Sequence, residues 1–216
     1  MCFNISINKN KNIIENSMNI KFNNNSNFIA QKHISAFSNP LIPVITSNEP
    51  NTINLYYWGL IPYWTKNIDS ANRLRRMTYN AKCETLTGKP SFRYSIKNQK
   101  CLIISDGFYE WKTTSNGKEC YYISSYEEEI FTFAGIWSTW NDTTSGNLIH
   151  SVSMITQNAN SLMEKIHNVK KRQPVILHQH NQINWLNSKL DYQNILDESF
   201  NIKLKCKMIE SPLKSK

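Results

Sequence analysis

The chain has 216 residues and a mass of 25.2 kDa, enough for one domain with a proper hydrophobic core. Its apolar fraction of 40% and aromatic fraction of 12% exclude a disordered chain, and no apolar run approaches the roughly 20 residues that span a bilayer. With a net charge of +9, it is predicted to be a soluble, basic, intracellular protein.

In chain order, the first part of the sequence mixes strand and helix signals. The N-terminal residues alternate apolar and polar side chains as a strand does, and an Asn- and Lys-rich segment with helical spacing follows. Pro40 and Pro43 predict an extended loop, because each proline pushes the preceding residue towards extended geometry. The predicted elements are a strand at 1–8, a helix at 13–22, a loop at 35–44, a strand at 55–60 and a helix at 73–86.

The remaining sequence turns to β structure. Runs rich in Ile, Phe, Tyr and Trp are separated by turn signals such as Asp106-Gly107. Because these runs show no regular βαβ alternation, we predict a mixed α+β fold around a curved sheet or barrel, with residues 1–216 in a single domain. Strands are expected at 101–105, 108–112, 121–124, 130–137, 149–156 and 174–177, helical turns at 158–167 and 183–196, and a basic, loosely held tail at 203–216.

The cysteines predict reduced thiols and no metal site. There are five of them, an odd number, with no CxxC pair and no zinc-like spacing. Cys101 opens an apolar run and is predicted to lie in the core. No sequence feature calls for a cofactor, so we predict that none is bound.

Positive charge is concentrated between residues 65 and 100, where nine basic and two acidic residues supply +7 of the net +9. Aromatic residues lie just before this basic window and inside it. Such a pattern suits single-stranded nucleic acid, because cations neutralise phosphates while rings stack on bases. A solvated face beside core aromatics is the alternative. The aromatic residues concerned are Trp58, Tyr63, Trp64, Phe92 and Tyr94.

Cys2 is the first candidate for chemistry. If Met1 is removed, the chain begins with an α-amine and a thiol on adjacent carbons, whose usual pKa values are about 7.7–8.0 and 8.5. Such a 1,2-aminothiol forms a Schiff base with an aldehyde and then closes a thiazolidine ring. The alternative is an incidental cysteine near a terminus.

Glu110 and His167 are the other candidates. Glu110 lies between Tyr109 and Trp111 in an otherwise apolar strand, and poor solvation would raise its pKa into the range of a general acid or base. His167 ends a predicted helix before a basic run and could move protons beside a phosphate. A solvent-facing glutamate and a helix-capping histidine are the alternatives.

Five short blocks in a fixed order resemble the SOS response-associated peptidase (SRAP) family, over a region from Cys2 to about Trp185. The blocks are Met-Cys at 1–2, Trp-Gly-Leu-Ile-Pro at 58–62 with Trp64, Asn-Ala-Lys-Cys-Glu-Thr at 80–85, Asp-Gly-Phe-Tyr-Glu-Trp-Lys at 106–112, and Ile-His-Asn at 166–168 followed by Pro-Val-Ile-Leu at 174–177.

The resemblance implies a DNA-damage protein that binds single-stranded DNA and cross-links covalently to abasic sites, with associated lyase and autoproteolytic activity. By this resemblance Cys2 is the nucleophile, Asn80 orients the terminal amine and the sugar, Glu110 assists ring opening, and His167 handles protons. The implied fold is an α+β domain with a barrel-like core and a basic DNA-binding groove, acting as a monomer in the cytoplasm at the nucleoid and away from membranes. The implied DNA contacts or their neighbours are Pro40, Trp64, Lys82, Trp111, Lys170, Lys171 and Arg172; Arg75 in the basic window is a further predicted phosphate contact.

The chain departs from the family pattern at three places. Phe3 and Asn4 follow Cys2 where bacterial members often carry Gly-Arg, and Lys82 replaces a frequent Arg. The compact His-Asp-Arg-Met-Pro pattern is stretched to eight residues at 167–174. The phosphate role is therefore open among the three basic residues at 170–172.

Two other function classes remain open at this stage. Cys2, Asn80 and His167 have the residue types of a cysteine peptidase, and some N-terminal-nucleophile amidohydrolases also begin with Met-Cys. A plain single-stranded DNA binder with an inert Cys2 is the other class. Abasic DNA separates them, because only a cross-linking protein forms a covalent adduct with it.

Overall fold

The computed structural model describes residues 2–187 and 192–213, and these residues form a mixed α+β fold. No helix in this part of the chain is both long and apolar enough to cross a membrane. The strands are β1 (Asn4–Ile7), β2 (Lys21–Phe22), β3 (Gln31–Ser35), β4 (Leu41–Thr46), β5 (Thr52–Trp58), β6 (Asn80–Lys82), β7 (Lys100–Ser105), β8 (Gly107–Thr114), β9 (Gly117–Ser125), β10 (Phe131–Asp142), β11 (Asn147–Asn158), β12 (Arg172–Pro174), β13 (Ile176–Leu177) and β14 (Leu204–Ile209). The helices are α1 (Lys11–Met18), α2 (Ile68–Met77), α3 (Ser95–Asn98), α4 (Ser161–Ile166), α5 (Gln179–Leu186) and α6 (Gln193–Glu198).

Five strands close into a barrel, as the sequence predicts. Antiparallel pairs join β11 to β10, β10 to β7, β7 to β4 and β4 to β5. The ring closes through a parallel pair between β5 and β11, in which Trp58 lies opposite Val152. This last pair makes the barrel mixed, and it brings the chain beyond β5 next to β11.

A second sheet, in the order β14-β9-β8-β1-β3, packs against the barrel. Ile5 on β1, Phe108 on β8 and Ile123 on β9 are fully buried in the shared core. Since successive side chains alternate between the faces of a strand, Glu110 points with Phe108 to this inner side, whereas Tyr109 points outward. The inner side of this sheet is where the site described below lies.

The prediction of one helix over 73–86 is wrong in its second half. The helix α2 ends at Met77, and Asn80–Lys82 instead form β6, which pairs in parallel with β11. Helical propensity is a weak preference that strand pairing overrides here. The indole of Trp58 also holds this segment, since its Nε1 donates to the Tyr79 carbonyl oxygen at 2.9 Å.

The tail was expected to be loosely held, and this too differs in the structure. Residues 204–209 form β14, which pairs with β9 along its whole length, although most of its side chains stay exposed. Residues 214–216 of the predicted tail, and residues 188–191 of the predicted helical turns, lie outside the described part of the chain. Cys101 is fully buried, as predicted.

Candidate active site

Cys2 lies at the centre of the candidate site. It precedes β1 and is completely buried, with its Sγ 3.5 Å from the Asn4 carbonyl oxygen. The side-chain amide of Asn80 donates from Nδ2 to the Cys2 carbonyl oxygen at 2.8 Å. The backbone of Cys2 is therefore fixed by a side chain from β6, 78 positions along the chain.

Asn80 presents a second polar atom to the site. Its Oδ1 is buried and accepts no hydrogen bond from the described residues. Because β6 lies beside β11, with Asn80 opposite Met154, the position of this oxygen is set by the barrel wall. A buried acceptor without a donor is costly, so an incoming N–H group would be favoured there.

Glu110 is a buried carboxyl group on β8. It is 5% exposed, and its Oε1 accepts no hydrogen bond from the described part of the chain. Burial raises the pKa of Glu110 to about 8. The group therefore holds a proton over much of the neutral range and can donate it, as a general acid must.

His167 faces Glu110 from the end of α4. Its Nδ1 lies 2.8 Å from the Arg172 carbonyl oxygen and 3.2 Å from the Arg172 backbone nitrogen, so the backbone of Arg172 fixes the ring. In the tautomer that donates to the shorter of these two contacts, Nε2 is the basic atom. Nε2 lies 3.9 Å from Glu110 Oε2, so both groups can reach the two oxygens of one small substrate. Burial lowers the pKa of His167, which favours the neutral imidazole.

The Cys2 thiol itself is held in its protonated form. Burial raises its pKa well above the usual value, and the nearby Glu110 carboxylate adds to the effect. A cysteine peptidase needs the opposite arrangement, with a thiolate stabilised by an adjacent imidazolium. This site therefore suits a reaction in which the thiol acts after another group has made its target electrophilic.

Arg172 was predicted as a possible phosphate contact, but its guanidinium is already engaged. It forms a two-point ion pair with Glu84 and also donates to Asn158 Oδ1 at 2.9 Å and to the Thr156 carbonyl oxygen at 2.7 Å. The residue is 7% exposed. Its backbone carbonyl is the one that holds His167 Nδ1, so Arg172 positions the histidine and offers little surface to a phosphate.

Glu84 is a neighbour of the candidate site that the sequence did not single out. It was visible as part of the block at 80–85, but nothing in a sequence separates a clamp on Arg172 from an ordinary surface carboxylate. The arginine lies 88 positions further along the chain. The pairing depends on β6 and β12 both lying beside β11.

The other predicted DNA contacts differ in their exposure to solvent. Lys82, Lys170, Lys171 and Trp64 are exposed, and Lys82 lies two residues after Asn80, on the same face of β6. Pro40 is half-buried.

Trp111 and Arg75 are packed against other parts of the protein. Trp111 points to the face of β8 opposite Glu110, where its Nε1 donates to Ser211 Oγ at 3.3 Å. This orientation separates Trp111 from the site. Arg75 is half-buried, with its guanidinium 4.8 Å from the centre of the Tyr57 ring.

The aromatic residues inside the basic window and just before it also divide between surface and core. Tyr63, Trp64 and Tyr94 are each 45% exposed or more, and the rings of the two tyrosines lie 5.0 Å apart. Trp58 and Phe92 are core residues instead.

Lys100 belongs to the basic window, which was expected at the surface, but its side chain is buried in the core. It is 1% exposed, and its Nζ lies over the rings of Trp185 and Tyr192 at 5.4 and 5.2 Å. A cation over an aromatic face is stabilised by the ring's electrons, which explains how this charge is tolerated in the core. It therefore adds nothing to a DNA-binding face.

Among residues 2–187 and 192–213, no group of three or more His, Cys, Asp and Glu side chains is arranged to hold a metal ion. The polar atoms around Cys2 are an amide, a carboxyl group and an imidazole. They are suited to moving protons and to orienting an amine and an aldehyde.

Comparison with known proteins identifies the family of the chain. The model of the SOS response associated peptidase (SRAP) family matches residues 1–214. YoqW of Bacillus subtilis (strain 168), an abasic site processing protein, is 37% identical over 153 residues, which cover 70% of this chain and 65% of YoqW. The matched region of the chain thus spans less than two thirds of the length of that curated relative.

Two further relatives extend the comparison. The abasic site processing protein HMCES of Xenopus tropicalis is 31% identical over 138 residues, covering 56% of this chain and 40% of that protein. The crystal structure of a protein from Bacteroides thetaiotaomicron has a TM-score of 0.91 and 32% identity, covering all of this chain and 95% of that one.

Proposed function

Because the chain belongs to the SOS response associated peptidase family, we propose that it processes abasic sites in single-stranded DNA through a covalent cross-link to Cys2. One observation carries the proposal. Cys2 is buried next to an amide, a proton-bearing carboxyl group and a neutral imidazole, with buried oxygens on Asn80 and Glu110 that no described residue satisfies. The names of YoqW and HMCES support the same lesion as substrate.

The first step is the opening of the abasic sugar, which exists mostly as a closed hemiacetal. Protonated Glu110 donates to the ring oxygen, while His167 Nε2 takes the proton of the anomeric hydroxyl group. The C–O bond of the ring breaks and the aldehyde forms, with one proton given and one taken. The separation of 3.9 Å between Nε2 and Oε2 suits two oxygens bonded to one carbon.

The second step joins the amine to the aldehyde. Removal of Met1 leaves the α-amine on Cys2, beside the Asn80 side chain that already holds the Cys2 carbonyl group. Asn80 Oδ1 can accept a hydrogen bond from that amine and aim its lone pair at the aldehyde carbon. The amine adds to the carbonyl group, and loss of water gives the Schiff base.

The third step closes the ring. The Cys2 thiol first passes its proton to the imine nitrogen, and the thiolate then adds to the iminium carbon; the C=N double bond becomes a single bond, and the thiazolidine forms with no net loss of protons. This order fits a thiol that burial keeps protonated, because the iminium charge eases its ionisation only after the Schiff base has formed. The same Schiff base allows cleavage of the DNA strand by β-elimination, which is the lyase activity in the proposal. Autoproteolysis is a separate proposal, as an additional way to release Met1.

We expect the single-stranded DNA to reach the site along a basic groove. The exposed Lys82 lies on the face of β6 that carries Asn80. Lys170 and Lys171 precede β12, whose first residue, Arg172, contacts the His167 ring through its backbone carbonyl oxygen. Trp64 offers a ring to a base. We propose a monomeric, cytoplasmic protein that contacts DNA at the nucleoid through these side chains.

The direct test is a cross-linking assay. A uracil-containing oligonucleotide treated with uracil glycosylase should give a denaturation-resistant band with the protein, whereas the untreated oligonucleotide should give none. Absence of the band with abasic DNA would overturn the proposal in favour of a plain DNA binder. Cleavage of a peptide or a small amide by the protein without any adduct would instead favour a hydrolase.

Intact-mass analysis should show that Met1 is absent from the active protein. Cysteine is small, and only a free α-amine on Cys2 provides the aminothiol that forms a thiazolidine. Mass spectrometry of the purified protein before and after cross-linking checks this point. A protein that retains Met1 and still cross-links would contradict the thiazolidine mechanism and favour attack by the thiol alone.

Lys82→Ala should weaken DNA binding in a salt-dependent way. An exposed cation that contacts one phosphate releases about one counterion, so the slope of log affinity against log salt should fall by about one unit. Titration with labelled single-stranded DNA at several salt concentrations measures the slope. Lys205→Ala on β14, also exposed, is the matched control and should leave it unchanged.

Arg172→Ala provides the contrasting result. Because the guanidinium is buried in a network with Glu84, its loss should lower the free energy of unfolding by roughly 2–4 kcal/mol. Its effect on the salt slope should be small. An unchanged stability with a slope reduced by one unit would restore Arg172 as a phosphate contact.

A further inference from the structure

A cavity lies beside Pro40. It has a volume of about 730 Å³ and opens between the Asn-rich segment that follows β2 and the start of β4. None of its lining residues is charged, in a protein with a net charge of +9. The lining residues are Asn23, Asn25, Ser26, Asn27, Phe28, Ile29, Gln31, Ile34, Ser38, Asn39, Pro40, Leu41, Asn54, Leu55 and Tyr57.

Some of the polar side chains in this cavity have no partner within the described part of the protein, whereas the remaining asparagines of its wall already have one. The side-chain amides of Asn25, Asn27 and Gln31 form no hydrogen bond with the described residues, and Ser26 Oγ is buried without a partner. Amides offer a donor and an acceptor side by side, which is the pattern that the edge of a nucleobase presents. The cavity thus carries hydrogen-bonding capacity that suits a neutral, flat ligand.

The apolar side of the cavity fits the same ligand. Ile29 is 73% exposed and Leu41 is 45% exposed, and both lie with the Tyr57 ring around the opening. Such side chains bind the faces of flat rings through dispersion and burial of apolar surface. A phosphate is disfavoured inside the cavity because the lining holds no cation.

The cavity is linked to the reacting residue through a short chain of contacts. Asn39, in its wall, accepts a hydrogen bond from the Tyr79 hydroxyl group at 3.4 Å. Tyr79 precedes Asn80, which holds the Cys2 carbonyl group. On the other side, the Phe3 ring that follows Cys2 lies 5.0 Å from the ring of Phe37, close to Pro40 in sequence. A strand bound at Cys2 would therefore pass near this opening.

We infer that this cavity binds one unpaired nucleobase of the damaged strand, close to the abasic nucleotide. The inference rests on the proposed function, since it requires the strand to lie at Cys2. The amide groups hydrogen-bond to the base edge, and the apolar wall holds its face. The Asn-rich segment, which composition alone presents as low-complexity sequence, is thus a base-binding element.

The test uses noncovalent binding, so that it does not depend on the cross-link. Oligonucleotides carry a tetrahydrofuran residue at the lesion, which lacks the aldehyde, and a second such residue replaces one neighbouring nucleotide at a time. For the unmodified protein, loss of the base that enters the cavity should raise Kd about 10-fold, while loss at other positions should change it little.

The Asn25→Ala/Asn27→Ala double variant identifies the cavity as the cause. It should raise Kd for the intact strand and reduce the effect of the missing base to less than about 2-fold. Asn12→Ala/Asn16→Ala is the matched control, because both residues are exposed asparagines on α1, outside the lining, and it should behave as the unmodified protein. Thermal unfolding of both variants confirms that the fold is kept.

The possible failures are distinguishable. No base-dependent change in Kd at any position, or an undiminished change in the Asn25→Ala/Asn27→Ala variant, would overturn the base-binding inference while leaving the cross-linking activity intact. Absence of an adduct with true abasic DNA would overturn the proposed function, and the noncovalent series would still report on the cavity.

Discussion

Cys2→Ala should abolish the denaturation-resistant adduct with abasic DNA while preserving the Schiff base. Alanine is also small, so Met1 should still be removed and the α-amine should remain. Without the sulfur the imine cannot close to a thiazolidine, and it is left to hydrolyse or to undergo β-elimination. We therefore expect no stable band, a band that appears after borohydride reduction, and some strand cleavage.

The measurement is a denaturing gel of labelled oligonucleotide, with and without borohydride. Cys206→Ala is the matched control, because Cys206 is an exposed cysteine on the edge strand β14, with β9 and β8 between it and β1. It should cross-link as the unmodified protein does. A stable adduct from Cys2→Ala, formed without reductant, would show that another nucleophile is responsible.

Burial explains why this thiol depends on the amine. In the folded protein the raised pKa of Cys2 makes direct attack by a thiolate slow at neutral pH. The amine has an ordinary pKa of about 7.7–8.0 when unperturbed, so a useful fraction is unprotonated. The order of events, amine before thiol, then follows from the environment rather than from the intrinsic reactivity of the two groups.

Much of the candidate site could be predicted because its residues stand out chemically from their neighbours. Glu110 is a carboxyl group within an apolar strand, and that contrast correctly indicated burial and a raised pKa. For His167 the sequence left a helix cap and a proton carrier open; the residue caps α4 and faces Glu110, and its role as a proton carrier stays a prediction. The barrel followed from clustered strand signals without βαβ alternation.

The remaining errors come from contacts between distant parts of the chain. Nothing local shows that Lys100 lies over two rings of the C-terminal region, or that Arg172 meets Glu84. Composition predicted Lys100 at the surface and the family resemblance predicted Arg172 as a DNA contact, but tertiary packing buries both side chains. Asn80 was placed in a helix for the same reason, since the partner that makes it a strand residue is β11.

Burial of Glu110 has a consequence for stability that is independent of DNA. An unfolded chain ionises this carboxyl group near pH 4.5, whereas the folded protein holds the proton up to about pH 8. The unfolded state therefore binds fewer protons between these values, and stability should fall as the pH rises from about 4.5 to 8. Glu110→Gln removes this titration, so the variant should be the more stable protein at neutral pH. Denaturant unfolding at a series of pH values measures the difference.

Glu110→Gln should also slow cross-linking by about 10²- to 10⁴-fold, the usual size of general acid–base assistance. Glutamine keeps the shape of the protonated side chain, and the aminothiol of Cys2 is untouched, so the final yield should be similar. What changes is the supply of aldehyde, because the ring oxygen no longer receives a proton as the hemiacetal opens. For the same reason, the finished adduct should reverse more slowly.

The pH dependence identifies the acid. In the unmodified protein the rate should rise as the amine loses its proton and fall above about pH 8, where Glu110 ionises. In Glu110→Gln the fall on the alkaline side should disappear, while the rise remains. Glu127→Gln, an exposed glutamate two residues beyond β9, is the matched control and should keep the full profile. A Glu110→Gln variant that cross-links at the unmodified rate would make this carboxyl group structural, and the source of the proton would then have to be His167.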